Sequence, residues 1–168
     1  MKKIVSLFIF LLLLVGCSLS NSPTSKVEEL LNKYQTLDND IKSGIDDILR
    51  EEKLDETQKE RYHKVIERQY RNLTYQIKNE KIDGDTAIIT TEIEVYDYKK
   101  IVNETNNYYQ EKEDYTVEDY NNTKLDKLEK AKDKIKYTID FEVKKDSSGN
   151  WKLSSLSNET IKKIQGMY

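Results

Sequence analysis

The stretch TAIITTEIEVYD, residues 86–97, alternates small or apolar side chains with polar ones. One face carries Ala87, Ile89, Thr91, Ile93 and Val95. A period of two predicts a half-buried β-strand. The dipeptide Asp83-Gly84 favours a turn before this strand, and another alternating run extends from Leu73 to Ile77. We therefore predict a β-hairpin with its loop near residues 80–85.

A second hairpin is predicted near the C-terminus. Tyr137, Ile139, Phe141 and Val143 alternate with polar residues, a turn follows at residues 147–150, and a strand resumes at Trp151 and Leu153. Because Trp151 shares a strand face with Leu153, we expect its ring to pack against helices that cover the sheet. Ser157 can then cap a terminal helix whose inner face carries Ile164 and Met167.

Helical periodicity precedes the first hairpin. Ser25 and Glu28 have the spacing of a capping box, and an apolar stripe at intervals of three and four continues to about Arg50. These features predict one helix from Ser25 to Arg50. A second start is predicted at Asp55, with Gln58 three residues on. A short charged turn between the two helices favours an antiparallel helical hairpin.

Residues 98–134, between the two β-hairpins, are charged and rich in tyrosine. Thr116 to Asp119 has the pattern of a fresh helix cap, so this segment is either two short helices or one long, partly solvated arm. Strands grouped in antiparallel hairpins with helices beside them indicate an α+β fold. We predict an N-terminal helical hairpin packed on an antiparallel four-stranded sheet of two hairpins, with a helical insertion and a C-terminal helix.

The N-terminus has the three parts of an export signal. Lys2 and Lys3 are cationic, residues 4–13 are mostly apolar, and Leu14-Val15-Gly16-Cys17 closes the segment. This ending resembles the lipobox of bacterial lipoproteins, in which the cysteine thiol receives a diacylglyceryl group and a peptidase cuts just before it. The resemblance implies a signal peptide at residues 1–16 and lipid attachment at Cys17, the only cysteine.

Under this interpretation, the rest of the chain consists of a short tether and one domain. Residues 17–25 form the lipidated cysteine and a polar tether, and residues 26–168 form a single extracytoplasmic α+β domain. Two acyl chains retain a protein on a membrane better than one does. We therefore expect the chain to be anchored on the extracytoplasmic face of the cell membrane.

The C-terminal hairpin supports a second resemblance. Helices followed by antiparallel strands that end in Gly149-Asn150-Trp151-Lys152-Leu153 are similar to small secreted bacterial lipoproteins with an NTF2-like or cystatin-like domain. The resemblance covers roughly residues 26–168, and it departs from the NTF2-like pattern in having four clear strands where that fold commonly has more. Domains of this kind act mostly as binding modules, and no catalytic motif of theirs transfers to these positions.

The sequence offers few groups for catalysis. His63 is the only histidine, and the acidic pairs Asp46-Asp47, Glu51-Glu52 and Glu92/Glu94 lie in charged surroundings typical of solvated surfaces. The five glycines are isolated, so no phosphate-binding loop is present. We therefore predict no catalytic residue, no cofactor site and no metal site. A formal net charge of −3 argues against nucleic acid as a partner.

Tyrosines are concentrated in and before the inserted segment, at Tyr96, Tyr98, Tyr108, Tyr109, Tyr115 and Tyr120. Core packing in a leucine-poor chain is the favoured interpretation, and stacking against wall polysaccharide is the alternative. The leading hypothesis for function is a non-enzymatic binding or interaction module, with the membrane and an unknown protein or envelope ligand as partners. The alternatives are a cell-envelope hydrolase that uses acidic residues and a structural or inhibitory protein-binding domain.

Replacing Cys17 by Ala should abolish lipid attachment, because no other thiol is present to be alkylated. Cells fed a labelled fatty acid should incorporate label into the wild-type protein and none into Cys17→Ala. Equal labelling of the two proteins would contradict the lipoprotein assignment.

Overall fold

The computed structural model describes residues 21–168, so Cys17 and the predicted signal peptide lie outside the described residues. The elements in chain order are α1 (Pro23–Thr36), α2 (Asn39–Glu51), α3 (Glu56–Arg71), β1 (Thr74–Asp83), β2 (Thr86–Tyr96), α4 (Tyr98–Gln110), α5 (Val117–Glu129), β3 (Lys134–Lys145), β4 (Trp151–Leu153) and α6 (Asn158–Ile164). The strands form one antiparallel sheet in the order β1-β2-β3-β4. The predicted α+β class and the four-stranded sheet of two hairpins are confirmed.

One face of the sheet forms the core. The alternating residues of β2, from Ala87 to Val95, are fully buried, and β3 contributes Ile139, Phe141 and Val143 opposite them. Helix α1 covers this face and contacts all four strands. Its buried residues Val27, Leu31 and Tyr34 follow a spacing of four and three, which places them on one side of the helix.

The two ends of the sheet have different neighbours. At the turn end, defined by the turns at Gly84 and Gly149, the start of α1 meets the sheet through Thr24, which donates to Glu80. At the insertion end, α4 and α5 connect β2 to β3, and the Gln35 side chain near the end of α1 donates to the Leu73 carbonyl at 2.8 Å. Helix α1 therefore runs from the turn end to the insertion end.

The first predicted helix differs from the observed structure. Its start is at Pro23, capped by Ser22 with Ser25 completing the capping box, so the last three residues of the predicted tether are helical. The predicted single helix to Arg50 is wrong, because Leu37 adopts a left-handed conformation with φ 52°. The Asp38 N–H bonds back to the Lys33 carbonyl, and the Asp38 side chain caps α2. Three helices therefore precede the sheet within residues 21–168.

The remaining helix starts are confirmed, but the C-terminal helix ends at Ile164, so Met167 lies beyond it and not on its inner face as predicted. Helix α3 is capped by the Asp55–Gln58 capping box, and α6 is capped by Ser157. The inserted segment forms two helices rather than one arm, and Thr116 caps the second. Residues 111–119 between and at the start of these helices are exposed.

A buried amide joins three segments at the insertion end. Gln69 lies on α3 and is 1% exposed. Its side-chain oxygen accepts a hydrogen bond from the Tyr96 N–H at 2.9 Å, and its side-chain nitrogen donates one to the Tyr96 carbonyl at 3.0 Å. Gly166, just after α6, has φ 68°, and its carbonyl accepts the Lys99 N–H at 2.7 Å. A Cβ on Gly166 would overlap the Tyr96 carbonyl oxygen and the Gln69 amide nitrogen. Only glycine fits this approach.

The variant Gly166→Ala should destabilise the fold more than Gly84→Ala. Both positions have positive φ, which costs a residue with a side chain roughly 1–2 kcal/mol, but a Cβ on Gly84 meets open space. In Gly166→Ala alone, the new Cβ should also disrupt the hydrogen bonds of the buried Gln69 amide, which should lower the free energy of unfolding by a further ~1–3 kcal/mol. Urea unfolding of the detergent-solubilised proteins measures how much unfolding free energy each variant loses. Equal losses would show that the contact at Gly166 is unimportant.

Candidate functional site

A groove of about 540 Å³ lies between α1 and β4. Leu30, Trp151 and Leu153 supply its apolar surface. The polar lining residues are Asn21, Lys26, Glu29, Lys33, Asn150 and Lys152. The groove thus combines an apolar floor with three lysines and one glutamate.

Helix α1 supplies one wall because it has two neighbouring stripes. Val27, Leu31 and Tyr34 face the core, whereas Lys26, Leu30 and Lys33 form a second stripe with the same spacing of four and three. The opposite wall is β4, which has only three residues. The floor is therefore the apolar margin of the core, left accessible where this short edge strand meets α1.

Trp151 links the groove to the core. It is 8% exposed and belongs to the main hydrophobic cluster, which confirms that it packs with the residues under the helices. Its backbone N–H donates to Asn21 Oδ1 at 3.0 Å, and Asn21 Nδ2 donates to Asn150 Oδ1 at 3.1 Å. Lys145 Nζ lies 4.9 Å from the indole centroid. The first described residue, Asn21, therefore lies at one end of the groove.

The β3–β4 turn is shaped by Asp146. Its carboxylate accepts the backbone N–H groups of Asn150 at 3.0 Å and Ser148 at 2.9 Å, and it pairs with Lys152 at 3.1 Å. The Asn150 N–H foremost, and then Lys152, lower the pKa of Asp146. The carboxylate is therefore ionised at neutral pH and holds the turn beside Trp151.

The groove lysines make only surface ion pairs. Lys26 pairs with Glu29 at 3.3 Å, and Lys33 lies 4.0 Å from Asp40. The side chains of Lys26, Lys33 and Lys152 are 29%, 40% and 71% exposed. Exposed pairs of this kind are weak and readily exchanged for a ligand anion. The rim of the groove therefore presents accessible positive charge.

The histidine and the acidic pairs considered as catalytic candidates in the sequence analysis lie outside the α1–β4 groove. His63 is half-buried, with its ring nitrogens 3.9 Å from Asp46 and Glu67, beyond hydrogen-bond distance. Glu92 lies on the polar face of the sheet, where a hydrogen bond from Lys136 at 3.0 Å lowers its pKa. Among residues 21–168, no three His, Cys, Asp or Glu side chains are grouped so as to hold a metal ion.

The tyrosines divide between the core and the surface. Tyr98 and Tyr109 are buried, and the Tyr98 hydroxyl donates to the Val65 carbonyl at 3.1 Å. Tyr108 and Tyr115 are about half exposed, and Lys112 Nζ lies 4.4 Å from the Tyr108 centroid. The α4–α5 connection therefore carries a second surface with exposed aromatic rings.

Comparison with known proteins finds no matching family and one solved structure with a partial likeness. No protein-family profile matches the chain, and no curated protein matches it. A crystal structure of a candidate lipoprotein, ycdA of Bacillus subtilis, aligns with a TM-score of 0.44 and 18% identity. The alignment covers 78% of this chain and 46% of that protein, so this chain spans less than half of its length. Within residues 21–168, no helix has both the length and the apolar character needed to cross a bilayer.

Proposed function

We propose that this chain is an extracytoplasmic lipoprotein, anchored through Cys17, that acts as a non-enzymatic binding module. The α1–β4 groove is its ligand site. The observation that carries the proposal is the combination of an apolar floor, formed by Leu30, Trp151 and Leu153, with a lysine-rich rim. Binding sites typically pair apolar surface with a few placed polar groups in this way.

A binding role suits the groove better than a hydrolytic one. Acid–base catalysis needs carboxyl or imidazole groups within reach of a bound substrate, and their pKa values are usually perturbed by burial. The one carboxylate that lines the groove, Glu29, is 51% exposed and pairs with Lys26. His63 and Asp46 lie outside the groove lining. The groove chemistry therefore favours ligand capture through lysines and apolar contact.

The α4–α5 connection supports a second candidate role, contact with another protein. Tyr108, Tyr115 and Val117 are 48%, 50% and 66% exposed, and they lie close together in sequence. Exposed aromatic residues are enriched at protein interfaces. Loss of a copurifying partner in the variant Tyr115→Ser, with ligand binding at the groove unchanged, would favour this role.

The proposed ligand site has a built-in reporter, because Trp151 is the only tryptophan in the chain. The full lipidated protein, reconstituted in phosphatidylcholine vesicles, should change its tryptophan emission when it is offered the correct envelope material. The probes are wall polysaccharide fragments, wall peptides and vesicles of extracted envelope lipid. At least one probe should shift the emission, and that probe should be recovered chemically unchanged.

A matched pair of variants separates the groove from the rest of the surface. Leu30→Gln places a polar amide in the groove floor and should weaken the response, whereas Ile101→Gln alters a half-buried aliphatic residue on α4 and should leave it intact. An emission that no probe changes, or equal responses of the two variants, would refute the groove as the ligand site. Chemical conversion of the probe would favour the hydrolase alternative.

A further inference from the structure

The position of the groove relative to the anchor limits what can reach it. Asn21 lies at one end of the groove, and Cys17 precedes it by four residues. Even fully extended, four residues span only ~14 Å. If Cys17 carries the lipid, as the proposed function requires, the end of the groove lies within that distance of the anchored residue.

The turn end of the sheet shares this location. The β3–β4 turn and Trp151 contact Asn21 directly, and the start of α1 contacts Glu80 in the β1–β2 hairpin. The insertion end is one strand length away, ~36 Å for the residues of β3. The tether therefore keeps the turn end near the bilayer, and the insertion end can lie up to one strand length further out.

The chemistry of the groove matches the surface it would meet. Lys26, Lys33 and Lys152 provide three ammonium groups at the rim, and their carboxylate partners Glu29, Asp40 and Asp146 form surface pairs that a ligand anion can replace. A phosphodiester headgroup satisfies the lysines, and its glycerol backbone and upper acyl carbons fit the apolar floor.

We propose that the groove binds the phosphate headgroup of an anionic glycerophospholipid in the bilayer that holds the Cys17 anchor. This inference rests on the proposed function and adds the ligand class. The anchor makes the encounter intramolecular, with an effective concentration in the mM range for a short tether. A site whose Kd lies below the mM range is therefore mostly occupied, and its occupation fixes the orientation of the domain on the membrane.

Quenching of Trp151 by lipid tests the proposal. The full lipidated protein is reconstituted in phosphatidylcholine alone or in equal parts of phosphatidylcholine and phosphatidylglycerol, each with a trace of lipid that carries a nitroxide on its headgroup. Quenching should be several-fold stronger with phosphatidylglycerol. Raising the salt from 0.1 to 1 M shortens the Debye length from ~10 to ~3 Å and should remove most of the difference.

Charge-matched variants show whether the groove is responsible. The triple variant Lys26→Gln, Lys33→Gln, Lys152→Gln should lose the preference for phosphatidylglycerol. The control is a triple variant at the insertion end, which removes the same charge from exposed positions: Lys99→Gln, Lys130→Gln, Lys132→Gln. This control should retain the preference for phosphatidylglycerol. Thermal unfolding of both variants verifies that each is folded at the temperature of the assay.

The outcomes separate this inference from the proposed function. Equal quenching in the two lipid mixtures, or equal loss of the preference in both triple variants, overturns the lipid ligand. An emission shift with wall polysaccharide or with free glycerol phosphate, and none with phosphatidylglycerol, also overturns it while leaving a binding module in place. Absence of lipid on Cys17 removes the anchor and contradicts the proposed function itself.

Discussion

The structure depends on the two hydrogen bonds between the Gln69 side chain and the Tyr96 backbone. Tyr96 is the last residue of β2, where the chain leaves the sheet for the insertion, so its N–H and carbonyl need partners outside the strand ladder. A buried amide satisfies both groups at once, and an unpaired buried polar group would cost ~1–3 kcal/mol. Gly166 packs on the same carbonyl and brings the C-terminus to this point. Three distant segments are thereby fixed together.

This junction positions the groove at the other end of the molecule. With the end of α3 held against β2, the Tyr70 ring packs edge-to-face with Tyr34 at a centroid distance of 4.9 Å. That contact and the Gln35 bond hold the end of α1 at the insertion end. The start of α1 then reaches Trp151 at the turn end. A groove beside the start of α1 follows from how a single helix crosses the whole sheet.

The sequence predicted what depends on local periodicity. The alternation from Ala87 to Val95 and the capping box at Asp55 each depend on residues close in the chain, and both were confirmed. The break at Leu37 was missed because an apolar stripe continues across it; the signal that was available is Asp38, a good cap for a new helix. Leu30 packs partly against the core and also lines the groove, which periodicity alone does not indicate.

Neither the groove nor the junction could be predicted from the sequence, because both depend on contacts between residues that are far apart in the chain. The contact between Asn21 and Trp151 joins residues 130 positions apart, and no local pattern encodes such a distance. Gly166 was one isolated glycine among five, and its role depends on the approach of Tyr96. The lipid anchor at Cys17 remains a prediction, because it lies outside the described residues.

Spin labels at its two ends test most directly the proposed orientation of the anchored domain, with its turn end toward the bilayer. Lipidation of Cys17 leaves no other native thiol, so Ser147→Cys and Lys132→Cys each introduce one nitroxide site at an exposed position, at the turn end and the insertion end respectively. Electron paramagnetic resonance in phosphatidylglycerol-containing vesicles with a nickel-chelating lipid measures proximity to the headgroups. The account predicts strong relaxation at position 147 and weak relaxation at position 132. Equal relaxation, or the reverse order, would contradict it.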